Sequence, residues 1–159
     1  MYQKCITLVK CMRRYCPSAS LGVIIESMEE TETLNNGAGG ASILIVEDDE
    51  FLRSLITKKL TNEGLTMIEA IDGEDAMRKL QETKPQLILL DLVLPGMDGF
   101  EVLRRLHESP ETKDIPVLIL SNLGSQEDID RGLELGAGSY MVKAHVTPDE
   151  IVAKVKSML

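Results

Sequence analysis

The chain has no tryptophan and only 3% aromatic residues, so any core must be built from Leu, Ile, Val, Ala and Met. It has no run of 18 apolar residues, the minimum for a membrane-spanning helix, and no membrane contact is expected. Ile6 to Met12 faintly resembles an export signal, but Lys10, Arg13 and Arg14 cut the apolar run short. Cysteine is confined to Cys5, Cys11 and Cys16, with no C-x-x-C pair and only His107 and His145 as further soft ligands. That spacing favours three reduced thiols in a cytoplasmic chain over a zinc site. Basic charge is short as well. With 17 Lys and Arg against 26 Asp and Glu, the net charge of −9 argues against binding the phosphate backbone of nucleic acid. No direct nucleic-acid contact is therefore expected.

What is present suits one soluble domain. The 159 residues are 43% hydrophobic and 27% charged, an ordinary balance. Residues 1–40 carry four basic residues (Lys4, Lys10, Arg13, Arg14) and four acidic ones (Glu26, Glu29, Glu30, Glu32), so the whole −9 belongs to residues 41–159. Glu29 to Ser42 is acidic and then rich in Asn, Gly and Ala, which is linker composition. Residues 1–41 read as a poorly ordered arm or, with Met28 as an alternative start, as a start-site artefact; residues 42–159 read as the domain.

From Ile43 short apolar runs alternate with amphipathic segments. Strands are expected at Ile43–Val46, Leu65–Ile71, Leu87–Leu90, Pro116–Leu120 and Ser139–Val142. The second alternates and so suits an edge. Between them fall helices carrying Leu52, Leu55, Ile56 and Leu60, then Ala76, Met77 and Leu80, then Phe100, Val102, Leu103 and Leu106, then Gln126 to Leu135. Gly64 and Gly136 are placed to stop the first and fourth. Thr147-Pro148-Asp149-Glu150 sets a capping box with Pro at the first helical position, and Ile151, Val152, Val155 and Leu159 are expected to face the core. Five β-α units imply a parallel sheet covered on both faces by five helices, a three-layer α/β/α arrangement. Right-handed crossovers make 2-1-3-4-5 the expected strand order, although pattern alone does not fix it.

The stretch Leu87 to Leu103 centres the chain. Four aliphatic residues end abruptly in Asp91, where a strand buried on both faces would surface at the ligand-binding end of the sheet. Alone, Asp91 could as easily start a turn. The other strand ends supply Glu47 and Asp48, Ser121, and Lys143, which the 2-1-3-4-5 order would bring together. Three gathered carboxylates cannot all stay ionised without a cation. Oxygen ligands of high charge suit Mg2+ or Mn2+. A carboxylate between such a cation and a lysine is a poor base but a good nucleophile for a phosphoryl group. The Ser121 hydroxyl and the N–H groups of Val93 and Asn122 are candidate donors to phosphoryl oxygens.

Val46-Glu47-Asp48-Asp49, Leu90-Asp91-Leu92-Val93-Leu94-Pro95-Gly96-Met97-Asp98-Gly99, Ser121-Asn122 and Tyr140-Met141-Val142-Lys143 together resemble the receiver domains of bacterial two-component response regulators. The resemblance covers residues 42–159 and implies a flavodoxin-like, doubly wound fold. It implies Asp91 as phosphoacceptor, with a sensor histidine kinase or a histidine phosphotransfer protein as donor. It also implies a cation on Asp48, Asp91 and the Val93 carbonyl, with Glu47 acting through water. Lys143 would pair with the phosphoryl group, Ser121 would move towards it, and Tyr140 would swing inward behind Ser121. Output to a downstream protein or a second copy would use the fourth helix, fifth strand and fifth helix. Such a protein is a phosphoprotein switch rather than a turnover enzyme.

The chain departs from the family at Ala144, where Pro is usual; a trans Lys143–Ala144 bond is expected, since a non-proline cis bond costs about 2.5–4 kcal/mol. Val93 and Leu123, two residues after Asp91 and Ser121, are apolar and poor at orienting water, so slow loss of phosphate is expected. Among rivals, an FMN carrier would be repelled by Glu47-Asp48-Asp49-Glu50, and an Asp-nucleophile phosphatase usually has a second acid where Val93 stands. A receiver fold that binds partners without phosphorylation is the alternative. The chain stops after the fifth helix, consistent with a single-domain regulator or a piece of a longer protein.

Overall fold

The computed structural model describes residues 40–159. Most of the arm expected over residues 1–41, with the three cysteines and Met28, lies outside the described residues. The elements run β1 (Ser42–Val46), α1 (Glu50–Asn62), β2 (Thr66–Ala70), α2 (Gly73–Glu82), β3 (Leu87–Leu90), α3 (Gly99–Glu108), β4 (Val117–Ser121), α4 (Gln126–Glu134), β5 (Ser139–Val142) and α5 (Pro148–Met158), with a 3-10 turn at Lys143–His145. The strands form one sheet in the order β2-β1-β3-β4-β5, and all four pairings are parallel. This is the doubly wound α/β/α fold the alternating pattern predicts.

Two apolar layers follow from the two-residue period of a strand. Leu44, Val46, Ile88, Leu90 and Ile119 face α2, α3 and the region of α4 through Ala76, Leu80, Phe100, Val102, Leu103, Leu106 and Ala137. Ile43, Ile45, Leu87, Leu89, Leu118 and Leu120 face α1 and α5 through Ile56, Leu60, Ile151 and Val155. β3 lies inside both layers, and each of its four residues is buried. β2 is an edge strand with only Ala70 buried, as its alternation predicts.

Each helix start is fixed by a side chain. Asp49, Asp72, Asp98, Ser125 and Thr147 accept from backbone N–H groups at the starts of α1 to α5. α5 has the full capping box of Thr147 and Glu150 with Pro148 beside it. After α1, Gly64 takes φ +84°, a conformation other residues resist, and the chain turns into β2. Lys59–Asp149 and Lys156–Glu63 ion pairs join α1 to α5. Arg131 lies over the Phe100 ring, 4.1 Å from its centroid, and ties α4 to α3.

Two expectations need correction. Leu159 is 48% exposed rather than part of the buried face of α5, because the helix ends at Met158 and leaves the last residue beyond the sheet. β4 lies one residue later than expected. Pro116 has no N–H to give to the ladder, and it contributes only its carbonyl, which accepts from Ile88 at 3.0 Å. Ser121 is thereby drawn into the strand and fully buried.

Candidate functional site

The register of the sheet gathers the site. Val46 pairs with Leu90, so Glu47 and Asp91 leave adjacent strands at one level, and the Asp91 N–H donates to the Val46 carbonyl at 3.0 Å. Ser121 pairs with Val142, which sets Lys143 just past the end of β4. Across that edge the Lys143 ammonium donates to Glu47 Oε2 and to Asp91 Oδ2, both at 2.6 Å. Glu47 and Asp91 are 2% and 5% exposed, so these ion pairs are shielded from water. The other Asp91 oxygen, Oδ1, accepts from the Val93 N–H at 3.1 Å. Asp91 is therefore held at both oxygens.

Asp48 completes an acidic triad: one carboxylate oxygen from each of Glu47, Asp48 and Asp91 lies within 4.8 Å of the others. Asp48 is the exposed member, as an entry side requires. Burial raises the Glu47 carboxyl above its ordinary range; Lys143 pulls it back down, the charge of Asp91 pushes it up, and the net direction is up. Burial works to lower Lys143, but its bonds to Asp91 and Glu47 outweigh that and hold the ammonium above its usual value. The Lys143 ammonium is thus held in its charged form.

The donor set fits a hard divalent cation. Three carboxylates share one ammonium, and all-oxygen ligands are what Mg2+ and Mn2+ prefer.

The remaining expected residues ring this centre. Ser121 ends β4, and its Oγ accepts from the Leu123 N–H at 3.5 Å, with exposed Asn122 between them. The half-buried Tyr140 donates its hydroxyl to the Leu123 carbonyl at 2.7 Å, which ties β5 to the β4–α4 loop. Burial raises the Tyr140 hydroxyl first, and the charges of Asp128 and Asp91 raise it further, so it stays protonated as a donor. Val93 turns a side chain that is 54% exposed outward while its N–H faces Asp91. No described peptide bond is cis, so Lys143–Ala144 is trans as expected, and the chain turns there through Lys143–His145.

Two residues escaped the reading of the sequence. Gly99 opens α3 hard against the chain that leaves β3: a Cβ there would lie 2.5 Å from the Asp91 carbonyl oxygen and 2.5 Å from Leu92 Cα. It closes a motif that carries the family resemblance, but nothing in the sequence says that it packs against Asp91 and Leu92. Arg53 bonds to the carbonyls of the acidic loop. On sequence it could not be told from any solvated helix charge.

The family model described as response regulator receiver domain matches residues 43–156. The phosphate regulon transcriptional regulatory protein PhoB of Rhizobium meliloti (strain 1021) is 42% identical over 117 residues, covering 74% of this chain and 51% of that protein. The manganese-bound form of response regulator Rcp1 superposes with a TM-score of 0.67 at 33% identity, covering 74% of this chain and 92% of that one. The BeF3-activated N-terminal receiver domain of RstA from Klebsiella pneumoniae gives a TM-score of 0.68 at 30% identity, covering 74% and 97%. The chain spans about half the length of the curated relatives it matches. Those relatives correct one expectation. They are transcriptional regulatory proteins, so the absence of any nucleic-acid connection inferred from the −9 charge does not stand. Net charge describes only the part of a regulator in which it is counted.

Proposed function

Because this chain belongs to the response regulator receiver domain family, we propose that it is a phosphoacceptor switch in which Asp91 takes a phosphoryl group from a phosphohistidine. The observation that carries this reading is Lys143 bridging Glu47 and Asp91 at 2.6 Å each, beside a third carboxylate at the end of the buried strand β3. In the transfer, an Asp91 oxygen attacks phosphorus, an O–P bond forms, the P–N bond breaks, and its electron pair leaves with the imidazole. Lys143 stays charged throughout and offsets negative charge on the equatorial oxygens. The Val93 N–H holds the second Asp91 oxygen and orients the nucleophile. The Ser121 hydroxyl and the Asn122 N–H are the nearby donors for the group once it has arrived.

Glu47, Asp48, Asp91 and the Val93 carbonyl would hold Mg2+ or Mn2+, Glu47 through water, and the cation would supply positive charge to offset that of the phosphoryl oxygens. The donor protein is a sensor histidine kinase or histidine phosphotransfer protein, and the setting is cytoplasmic. By likeness to the transcriptional regulatory proteins it matches, its output acts on transcription. One phosphoryl group is taken and later lost per signal, so the protein is a switch and not a turnover enzyme.

The test adds acetyl phosphate, or beryllium fluoride, with Mg2+ to the wild type and to Asp91→Asn. A spectroscopic response in the wild type that is absent from Asp91→Asn is the expected result. An unresponsive wild type would overturn the reading in favour of a receiver fold that binds partners unphosphorylated.

A further inference from the structure

β1 ends at Val46, and the carbonyls that follow it have no place in the sheet ladder. Arg53, in the early part of α1, fills that gap. Its Nη1 donates to the Glu47 carbonyl at 2.8 Å and, at longer range, to the Asp48 carbonyl at 3.4 Å. Its Nε donates to Glu69 Oε2 on β2 at 3.1 Å. The Arg53 side chain is 12% exposed, so the fork is held largely out of water. Glu47 is also held from the other side, since its N–H donates to the Ala70 carbonyl at 3.1 Å. Only a planar guanidinium offers donors in one rigid fork to two carbonyls and a carboxylate at once.

We infer that Arg53, keyed by Glu69, is a positioning residue for cation binding: it fixes the main chain of Glu47 and Asp48 so that both carboxylates face Asp91. It bonds to none of the three carboxylates through its guanidinium in this arrangement, only to the backbone that carries two of them. The inference rests on the reading that Glu47, Asp48 and Asp91 form the cation site. Charge and position make opposite demands here. A guanidinium near a divalent cation repels it, so its loss as mere charge strengthens binding. Its loss as a support weakens binding, because outer-shell partners typically contribute 10–100-fold to metal affinity.

The experiment is calorimetric titration of the full chain with Mg2+, for wild type, Arg53→Met and Arg53→Lys, with thermal midpoints measured in cation-free buffer. Expected is binding by the wild type and roughly 10-fold weaker binding by both variants at a temperature where each is fully folded. Arg53→Lys keeps the charge and loses the fork, so it decides the matter if Arg53→Met does not fold. Binding by either variant that equals or exceeds the wild type overturns the inference. So does a lowered thermal midpoint with unchanged affinity, which would make Arg53 a purely structural tie. A wild type that binds no Mg2+ removes the site itself and overturns the inference together with the functional reading; that case is recognised from the wild type alone.

Discussion

At Val93 the backbone and the side chain serve different ends. The N–H donates to Asp91 Oδ1, whereas the apolar side chain is exposed. Leu123 repeats the division: its carbonyl receives Tyr140, its N–H reaches Ser121, and its side chain packs on the core. Neither side chain can hydrogen-bond a water molecule, so on the proposed role of Asp91 hydrolysis of its phosphoryl group would lack an orienting partner. The Val93→Asn, Leu123→Gln double variant is expected to shorten the lifetime of the aspartyl phosphate by about 10-fold, less than the ~100-fold of a fully placed general base. Following the loss of label from phosphorylated protein checks this, and an unchanged decay rate would show that something else governs the lifetime.

At the scale of the element, α5 shows what sequence patterning can and cannot deliver. Thr147, Pro148 and Glu150 announced the helix start, because a cap is a local arrangement set by residues three apart. Bonds from the Thr147 N–H, at 2.7 Å, and from the Thr147 hydroxyl hold the Glu150 carboxyl below the usual carboxylate range. A depressed carboxyl stabilises the folded state above its unfolded pKa and loses that contribution as pH falls through the folded one. Glu150→Ala is therefore expected to lower the thermal midpoint at neutral pH, and the gap to wild type should close as pH drops below 4.5. Thermal melts across that range would measure it; a gap constant with pH would assign the effect to helix propensity. The far end of α5 was not legible. Nothing in the period of Val152, Val155 and Leu159 says that the sheet no longer covers the last residue. The start of β4 and the fork of Arg53 were hidden for the same reason. Both depend on partners distant in sequence, Ile88 for Pro116 and Glu69 for Arg53. By contrast Asp91, Glu47, Asp48 and Lys143 were legible, since a strand end in a parallel sheet predicts where its next residue goes.

At the scale of the molecule, β3 is the member common to both apolar layers. Leu89 is 1% exposed and packs towards α1 and α5. Leu89→Ala is expected to cost roughly 2–5 kcal/mol, a large share of the 5–15 kcal/mol typical of a whole domain. Denaturant unfolding should still show one transition, because no strand pairing outlasts the loss of the central one. Two separated transitions would mean that the layers unfold independently.

The same connectivity has a consequence in time. The two bonds of the Lys143 ammonium join residues 96 and 52 positions apart in the chain. Loops of that length close late and only against a sheet already paired on both sides of β3. The Lys143 contacts are therefore expected late in folding, and a partly unfolded chain would have Asp91 without its ammonium. On the proposed function such a chain would take no phosphoryl group, so readiness to receive a signal would double as a check that the fold is complete.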